Sequence, residues 1–274
     1  MTSIAELATR RELIWNLILR SLKIRYKGSA LGFLWTLLNP LLMMLIYWLF
    51  ISILLSRLGI TVPLSHLLTG VIFWQFIAMC TSDAVRSISG FPNLVKKTYF
   101  PRIVLPLSMV IANLINFALS ILVLAAILLL LNLFAGEAVD FAFLWMLPFV
   151  LMIQFCLVLG ISLLISSANV FFRDIEHIVS VVLQALFFLT PIIYPLDMVR
   201  DRLSGTFLSI YLLNPMTSLV TLFRKAFLGE ALFPGGEFLP SEPAFYVSLG
   251  LSVAVLLVGV RVFGKLEPYF ADHL

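Results

Sequence analysis

Six runs of this chain carry no Asp, Glu, Lys or Arg: Ala30 to Ser56, Leu58 to Ser82, Ile103 to Gly136, Phe141 to Phe172, Ile178 to Leu196 and Pro243 to Val260. A bilayer core about 30 Å thick is crossed by about 20 mainly apolar helical residues, so five of the runs are ample and the sixth, shorter, still suffices. Runs of this length without alternation cannot satisfy their backbone in lipid as open strands. The expected fold is therefore all-α, an integral membrane protein of six transmembrane helices. Composition agrees, with 62% hydrophobic and 12% charged residues and a mean hydropathy of +1.10, where soluble domains carry about 25% charged residues. The first run is too long and too far from the start to read as a cleaved leader.

Six spans put both ends of the chain on one side. If that side is the cytoplasm, the inner segments hold Arg10, Arg11, Arg20, Lys23, Arg25, Lys27, Arg86, Lys96, Lys97, Arg102, Arg173, Arg261 and Lys265, against Arg57, Arg200, Arg202, Arg224 and Lys225 outside. Cytoplasmic loops carry the excess of basic residues, so both termini are expected in the cytoplasm. The chain then divides into a cytoplasmic amphipathic helix (1–29), a transmembrane domain (30–264) and a cytoplasmic tail (265–274). Cys80 and Cys156 lie inside apolar runs and read as small buried hydrophobes. His66, His177 and His273 have no second ligand at metal spacing, so no metal site is expected.

Between the spans, four segments carry chemistry. Before the first, "RRELIWNLILRSLKIRYKG" puts Ile14, Leu17, Ile18 and Leu22 on one helical face and Asn16, Arg20, Lys23 and Lys27 on another. That pattern predicts a helix along the inner membrane surface, oily side down and basic side toward lipid phosphates, or a plain positive-inside anchor. The cytoplasmic loop 83–102 contains "GFPNLVKKTYFPR". Gly90 and Pro92 are expected to break any helix there. Phe91, Lys96, Lys97, Tyr99 and Phe100 form a cationic, aromatic cluster, which reads as a protein contact or as a topological loop whose aromatics sit at headgroup level. A second cytoplasmic turn, "SSANVFFRDIEH", offers Arg173, Asp174 and Glu176 for pairing among themselves, for an anionic headgroup or for the same partner.

On the outer side, "TPIIYP" ends the fifth span with two prolines. In "LLNPMTSLVTLFRKAF", Asn214 is placed to cap a helix whose first residue is Pro215, with Met216, Leu219, Val220, Phe223 and Phe227 on one face. Short, broken, amphipathic pieces at membrane depth predict two re-entrant or interfacial helices between Thr190 and Pro243 that cap the outer side. The small loop with Glu137 and Asp140 carries no legible signal.

Catalytic chemistry is missing. "GVRVFGKL" nearly matches a phosphate-cradling loop, but Leu266 stands where the magnesium-binding hydroxyl is needed and the stretch leaves a membrane helix. No nucleophile elbow or metal pair occurs, and no run carries the intramembrane charge that ion-driven transporters use. The runs do carry uncharged polarity at Asn113, Asn116, Gln154 and Gln184, which reads either as interhelical hydrogen bonds or as the lining of a path for a neutral polymer.

The segments "RYKGSALGFLWTLLNP", "LVKKTYFPRIVLPLS", "NVFFRDI", "TPIIYP", "LNPMTSLVTLFR" and "EPYFAD", in this order, resemble the membrane (permease) subunit of type 2 ABC exporters of polysaccharides such as O antigen, capsule and teichoic acid. The resemblance runs from about Arg11 to His273. It implies a homodimer of six-span subunits in a bacterial inner membrane, joined to two cytoplasmic ABC ATPase subunits that hold ATP and Mg. The permease itself then binds no cofactor and is not an enzyme, and nucleic acid is not a partner. The cargo implied is a lipid-linked polysaccharide, most simply O antigen on a polyprenyl diphosphate, with teichoic acid or capsule polymer, or a small drug or lipid, as the alternatives.

Carried onto this chain, the resemblance makes Glu12 to Lys27 an interface helix, residues 84–100 a coupling helix and residues 197–228 outer gate helices. ATPase docking then falls to Phe91, Asn93, Leu94, Lys96, Lys97, Tyr99, Phe100, Arg173 and Asp174. Lipid phosphate falls to Lys23, Arg25 and Lys27, and the outer gate to Tyr194, Asn214, Pro215 and Phe223. A membrane-embedded enzyme or scaffold, which needs no ATPase, is the remaining rival.

Overall fold

The structure, a computed structural model, describes residues 11–26, 34–56, 62–97, 100–137, 139–229 and 243–274. Its helices in chain order are α1 (Arg11–Tyr26), α2 (Leu34–Ser56), α3 (Leu64–Val85), α4 (Pro92–Lys97), α5 (Val104–Ala135), α6 (Leu147–Phe171, entered through a 3-10 turn at Leu144–Met146), α7 (Ile175–Leu189), α8 (Leu196–Arg200), α9 (Thr206–Leu212), α10 (Pro215–Leu228), α11 (Pro243–Leu266) and, after a 3-10 turn at Glu267–Tyr269, α12 (Phe270–His273). Among the described residues there is no β-strand, only an isolated bridge between Asp140 and Leu228.

Four helices among the described residues are long and apolar enough to cross a bilayer: α3, α5, the 144–171 unit and α11 with its tail. The pair α9 and α10 makes a fifth candidate if counted as one span, but the two halves meet at a 72° bend. The break falls at Asn214, whose Oδ1 accepts the Met216 N–H at 3.0 Å, with Pro215 as the first helical residue. α7 is only 15 residues long. Four of the six expected spans thus have a helix that meets this criterion, and α2 and α7, where the other two were expected, are not among those that do.

α3 is the centre of the bundle. Nearly every residue from Ser65 to Phe76 is buried, and α2, α5, α6, α7 and α10 all pack on it. Its core is aromatic: Phe76 stacks on Phe117 at 4.7 Å, Phe117 on Phe223 at 5.9 Å, and Phe223 meets Phe73 at 5.6 Å and Phe227 at 5.2 Å. Such offset and tilted pairs add to the area the rings bury. The most extensive helix pairing is α6 with α11. There Gly160 and Gly259 let the backbones touch: a Cβ on Gly160 meets Leu256 backbone, and one on Gly259 meets the Gly160 carbonyl, both closer than real contacts allow.

A second, smaller cluster lies at the end of the bundle that holds α1 and α4, joining Leu17, Ile88, Val95, Phe100, Val104, Leu105, Phe263 and Phe270. α1 contributes its apolar face to this cluster, with Leu17 and Ile18 buried. The expected oily-side-down helix therefore spends that face on α5 and this second cluster, because protein offers those side chains tighter packing than lipid tails do.

Arg224 and Lys225, counted among the outer charges, are each only 2% exposed, inside α10. Pro92 does not abolish helix in the loop 83–102 but opens the short α4, as proline does at a first turn, where its missing N–H has no partner to lose.

Candidate functional site

The turn between α3 and α5 is a built platform. α4 presents Asn93, Lys96 and Lys97 to solvent, while Val95 is buried and Leu94 half-buried. Phe100 is buried in the second hydrophobic cluster, and Phe91 is half-buried with the Arg20 guanidinium 4.8 Å from its ring centre. These two aromatics turn toward the protein and anchor the loop; Tyr99 lies outside the described residues. Arg173 and Asp174 are exposed at the turn from α6 to α7.

Three contacts brace this platform. Arg86 and Glu176 form a two-pronged ion pair, with Nε to Oε2 at 3.0 Å and a second bond from Nη2 to Oε1, and the carboxylate pushes the Arg86 pKa further up through that hydrogen bond and its charge. Asn169 Nδ2 donates to the Val85 carbonyl at 2.8 Å and to Ser89 Oγ at 3.2 Å. The Arg102 N–H donates to Glu267 Oε1 at 2.7 Å, and Arg102 Nη1 donates to the Glu267 carbonyl. Glu267 and its neighbours are thus part of the platform, which the sequence did not signal because the tail lies far from the loop along the chain.

Above the platform, α1, the end of α3 and the start of α5 enclose a cavity of about 490 Å³. Arg20, Asp83, Arg86, Phe91, Ser108, Asn116 and Glu176 are in its wall. Asp83 accepts from Asn113 Nδ2 at 2.8 Å. Of the residues expected to meet lipid phosphate, Lys23 is exposed on α1, Arg25 falls in the last turn of α1, and Lys27 lies outside the described residues.

The four amides expected to line a path are not one surface. Asn113 and Asn116 are buried between α5 and α3 and edge a void of about 20 Å³, with Gln75 and Ser120 also in its wall. That is room for one water. Gln154 is fully buried and donates to the Phe73 carbonyl at 3.4 Å, an interhelical bond. Gln184 is exposed on α7 and faces a groove of about 340 Å³ shared with Asn39, Tyr47, Trp74, Gln75 and Phe187. Gln75 borders both the void and the groove.

At the opposite end of the bundle, Arg224 is the organising side chain. It donates from Nε to the His66 carbonyl at 3.3 Å and from its two terminal nitrogens to the carbonyls of Pro191 and Ile192. α3, the turn that closes α7 and α10 are thereby tied together. Gly70 makes room for it, since a Cβ there meets both the guanidinium and the Ile192 carbonyl. Tyr194 Oη donates to the Phe188 carbonyl at 2.7 Å and pairs with Tyr211 Oη at 3.2 Å. Asn214 Nδ2 reaches Thr190 Oγ1 at 3.1 Å, and Phe223 is fully buried in the aromatic core. Lys225 lies with Nζ 5.2 Å from the ring centre of Phe143.

Sequence reasoning also passed over Glu137, whose carboxylate accepts the Leu64 N–H at 3.0 Å and the Ser65 N–H at 2.9 Å. A signal existed. Pro63 precedes α3 and has no side-chain acceptor for the helix's first N–H groups, so an acidic residue from elsewhere is favoured there. Among the described residues, no three His, Cys, Asp or Glu side chains come together to hold a metal.

An all-helical membrane bundle with a braced, charged platform at one end and amide-edged grooves inside is the frame of a transport subunit. The chain belongs to the ABC-2 type transporter family, whose profile matches residues 12–228, from α1 through α10. It is 33% identical over 255 residues to an O-antigen export system permease protein, RfbA, of Klebsiella pneumoniae, covering 93% of this chain and 92% of the relative. A relative of the same name from Myxococcus xanthus is 32% identical over 271 residues, 99% of this chain and 98% of its own. The polysialic acid transport protein KpsM of Escherichia coli is 26% identical over 242 residues, 88% and 84% of the two chains.

Proposed function

We propose that this chain is the permease subunit of an ATP-driven exporter that moves a lipid-linked polysaccharide, most simply an O antigen on a polyprenyl diphosphate, across the bacterial inner membrane. The observation that carries the reading is the end-to-end identity with relatives named as O-antigen export permeases. The geometry supports it. α4 offers Asn93, Lys96 and Lys97 on a turn braced from three sides, a suitable dock for a cytoplasmic ATPase subunit, with Arg173 and Asp174 at the neighbouring turn.

α7 supports a homodimer. His177, Ser180 and Gln184 stand exposed along it at spacings of three and four residues. Polar side chains facing lipid are costly, so this face suits a water-filled path or a second copy of the chain. Two copies bring two grooves of amides and aromatics together, and Asn39, Tyr47, Trp74, Gln75 and Gln184 line the polymer's way. α2 and α7 complete six spans, both termini are cytoplasmic, and α9 with α10 re-enters from the outer side and closes it.

ATP-driven closure of two partner subunits moves the platform, and the rigid helices convey the movement to the outer cap. The ATP and Mg belong to those partners, and the lipid diphosphate is met by Lys23, Arg25 and Lys27. The test is a strain lacking this gene. Long lipid-linked glycan accumulating on the cytoplasmic side is the expected result, and unchanged surface polymer without accumulation would transfer the assignment to a drug or lipid permease.

A further inference from the structure

We propose that the cavity beneath α1 is a saccharide subsite, which takes the first, carrier-proximal sugars of the exported glycan before the polymer enters the membrane path; this rests on the exporter reading above. Its volume, about 490 Å³, lies within the range of about 300 to 1,000 Å³ usual for small-molecule sites.

The chemistry of the wall selects among the parts of a lipid-linked glycan. Two guanidiniums and two carboxylates face the cavity, and they are already positioned. Arg86 is held by Glu176 in the two-pronged pair, Arg20 lies over Phe91, and Asp83 takes a bond from Asn113. A phosphate placed here meets Asp83 and Glu176 as well as Arg20 and Arg86, so the wall carries no net positive charge to hold it, and the two carboxylates cannot donate to it. A neutral polyol meets the same carboxylates as strong acceptors for its hydroxyls, through charge-assisted bonds.

Ser108 fits the same ligand. Its Oγ donates its proton to the Leu105 carbonyl at 2.9 Å, so toward the cavity it offers lone pairs to a sugar hydroxyl. Asn116 brings an amide, and the half-buried Phe91 with apolar Leu17 and Leu105 gives the carbon face of a sugar ring a packing surface. Lys23 stands exposed three residues beyond Arg20, on the same side of α1. The diphosphate is therefore held at the rim and the sugar inside, so that α1 reads the lipid and the cavity reads the glycan.

The test uses the detergent-purified protein with its copurifying subunits. Probes are a bare polyprenyl diphosphate, a set of the same carrier bearing one hexose or one N-acetylhexosamine, and phosphatidylglycerol as the competing headgroup. The expected result is that at least one sugar-bearing carrier binds about tenfold more tightly than the bare carrier, the worth of one or two charge-assisted bonds. Asp83→Asn and Ser108→Leu abolish that preference, while Lys23→Gln weakens every diphosphate probe alike and leaves the preference intact. Should Asp83→Asn fail to fold, Asn116→Ala reads the same preference.

The proposal is overturned if no sugar-bearing carrier exceeds the bare one, if none binds, or if phosphatidylglycerol displaces the best probe as well as unlabelled carrier does. Loss of surface polymer in the deletion strain together with equal binding of all carriers removes the subsite alone. Intact surface polymer in that strain removes the exporter reading itself.

Discussion

Arg224 shows how much one side chain settles in this bundle. A guanidinium that is 2% exposed is costly unless its donors are met, and here backbone carbonyls from α3 and from the turn after α7 meet them. Arg224→Met strands the turn carbonyls of Pro191 and Ile192, and we expect it to lower stability by about 2 to 4 kcal/mol, read as an earlier thermal melt of the purified protein. Gly70→Ala should destabilise by displacing the same guanidinium. In a double-mutant cycle the two changes should then be far from additive, because each removes what the other perturbs. Simple additivity would show that Gly70 serves packing elsewhere. Lysine is no substitute for Arg224, since a single ammonium cannot span three carbonyls in the plane of a guanidinium fork.

Among the elements, α4, six residues long, is held by braces on either side of it, at Arg86 and Ser89 before and at Arg102 after. Its exposed lysines were legible in the sequence, because orientation alone needs no paired lysines beside aromatics and prolines. Its support was not: Glu267 lies 165 residues from Arg102 along the chain. Lys96→Glu with Lys97→Glu is expected to abolish retention of the ATPase subunit on purification and to abolish export, with insertion unchanged. Glu267→Ala leaves those lysines in place but removes one brace, and should weaken retention by about tenfold. Normal retention in the Glu267 variant would mean that Asn169 and Glu176 hold α4 by themselves. Phe91 and Phe100 mark the limit of composition as a guide: aromatics beside lysines suggested a contact surface, yet in the fold Phe100 is buried and Phe91 half-buried because burial of a ring outweighs its display.

At the scale of the whole molecule, α11 touches both ends. Near its start Ser248 shares a hydrogen bond with Ser218 of α10, its middle lies against α6 at the Gly160 and Gly259 crossing, and its tail grips the platform through Glu267 and Phe270. A helix packed along its length moves as a rod, which suits it to carry displacement between the two ends of the bundle. The proposed topology has a direct check. With Cys80 and Cys156 replaced by alanine, a membrane-impermeant thiol reagent should label Ser204→Cys in intact spheroplasts and Asp272→Cys only after the membrane is opened. Labelling of both from outside would contradict cytoplasmic termini.

The sequence by itself determined the helical membrane architecture, the charged loop between the second and third apolar runs and the break at Asn214 and Pro215. Each follows from chemistry that acts within one segment: lipid forces backbone bonds to close locally, lysine and arginine stay with water, and a cap reaches two residues. Only the tertiary structure decided that Gln154 bridges helices while Gln184 faces a groove, that Glu137 caps α3 and that Arg224 is buried. The partners of Glu137 and Arg224 stand 72 and 158 residues away. A polar side chain's role in the bundle depends on which acceptor or donor the packing brings within 3 to 3.5 Å, and no local pattern encodes that meeting.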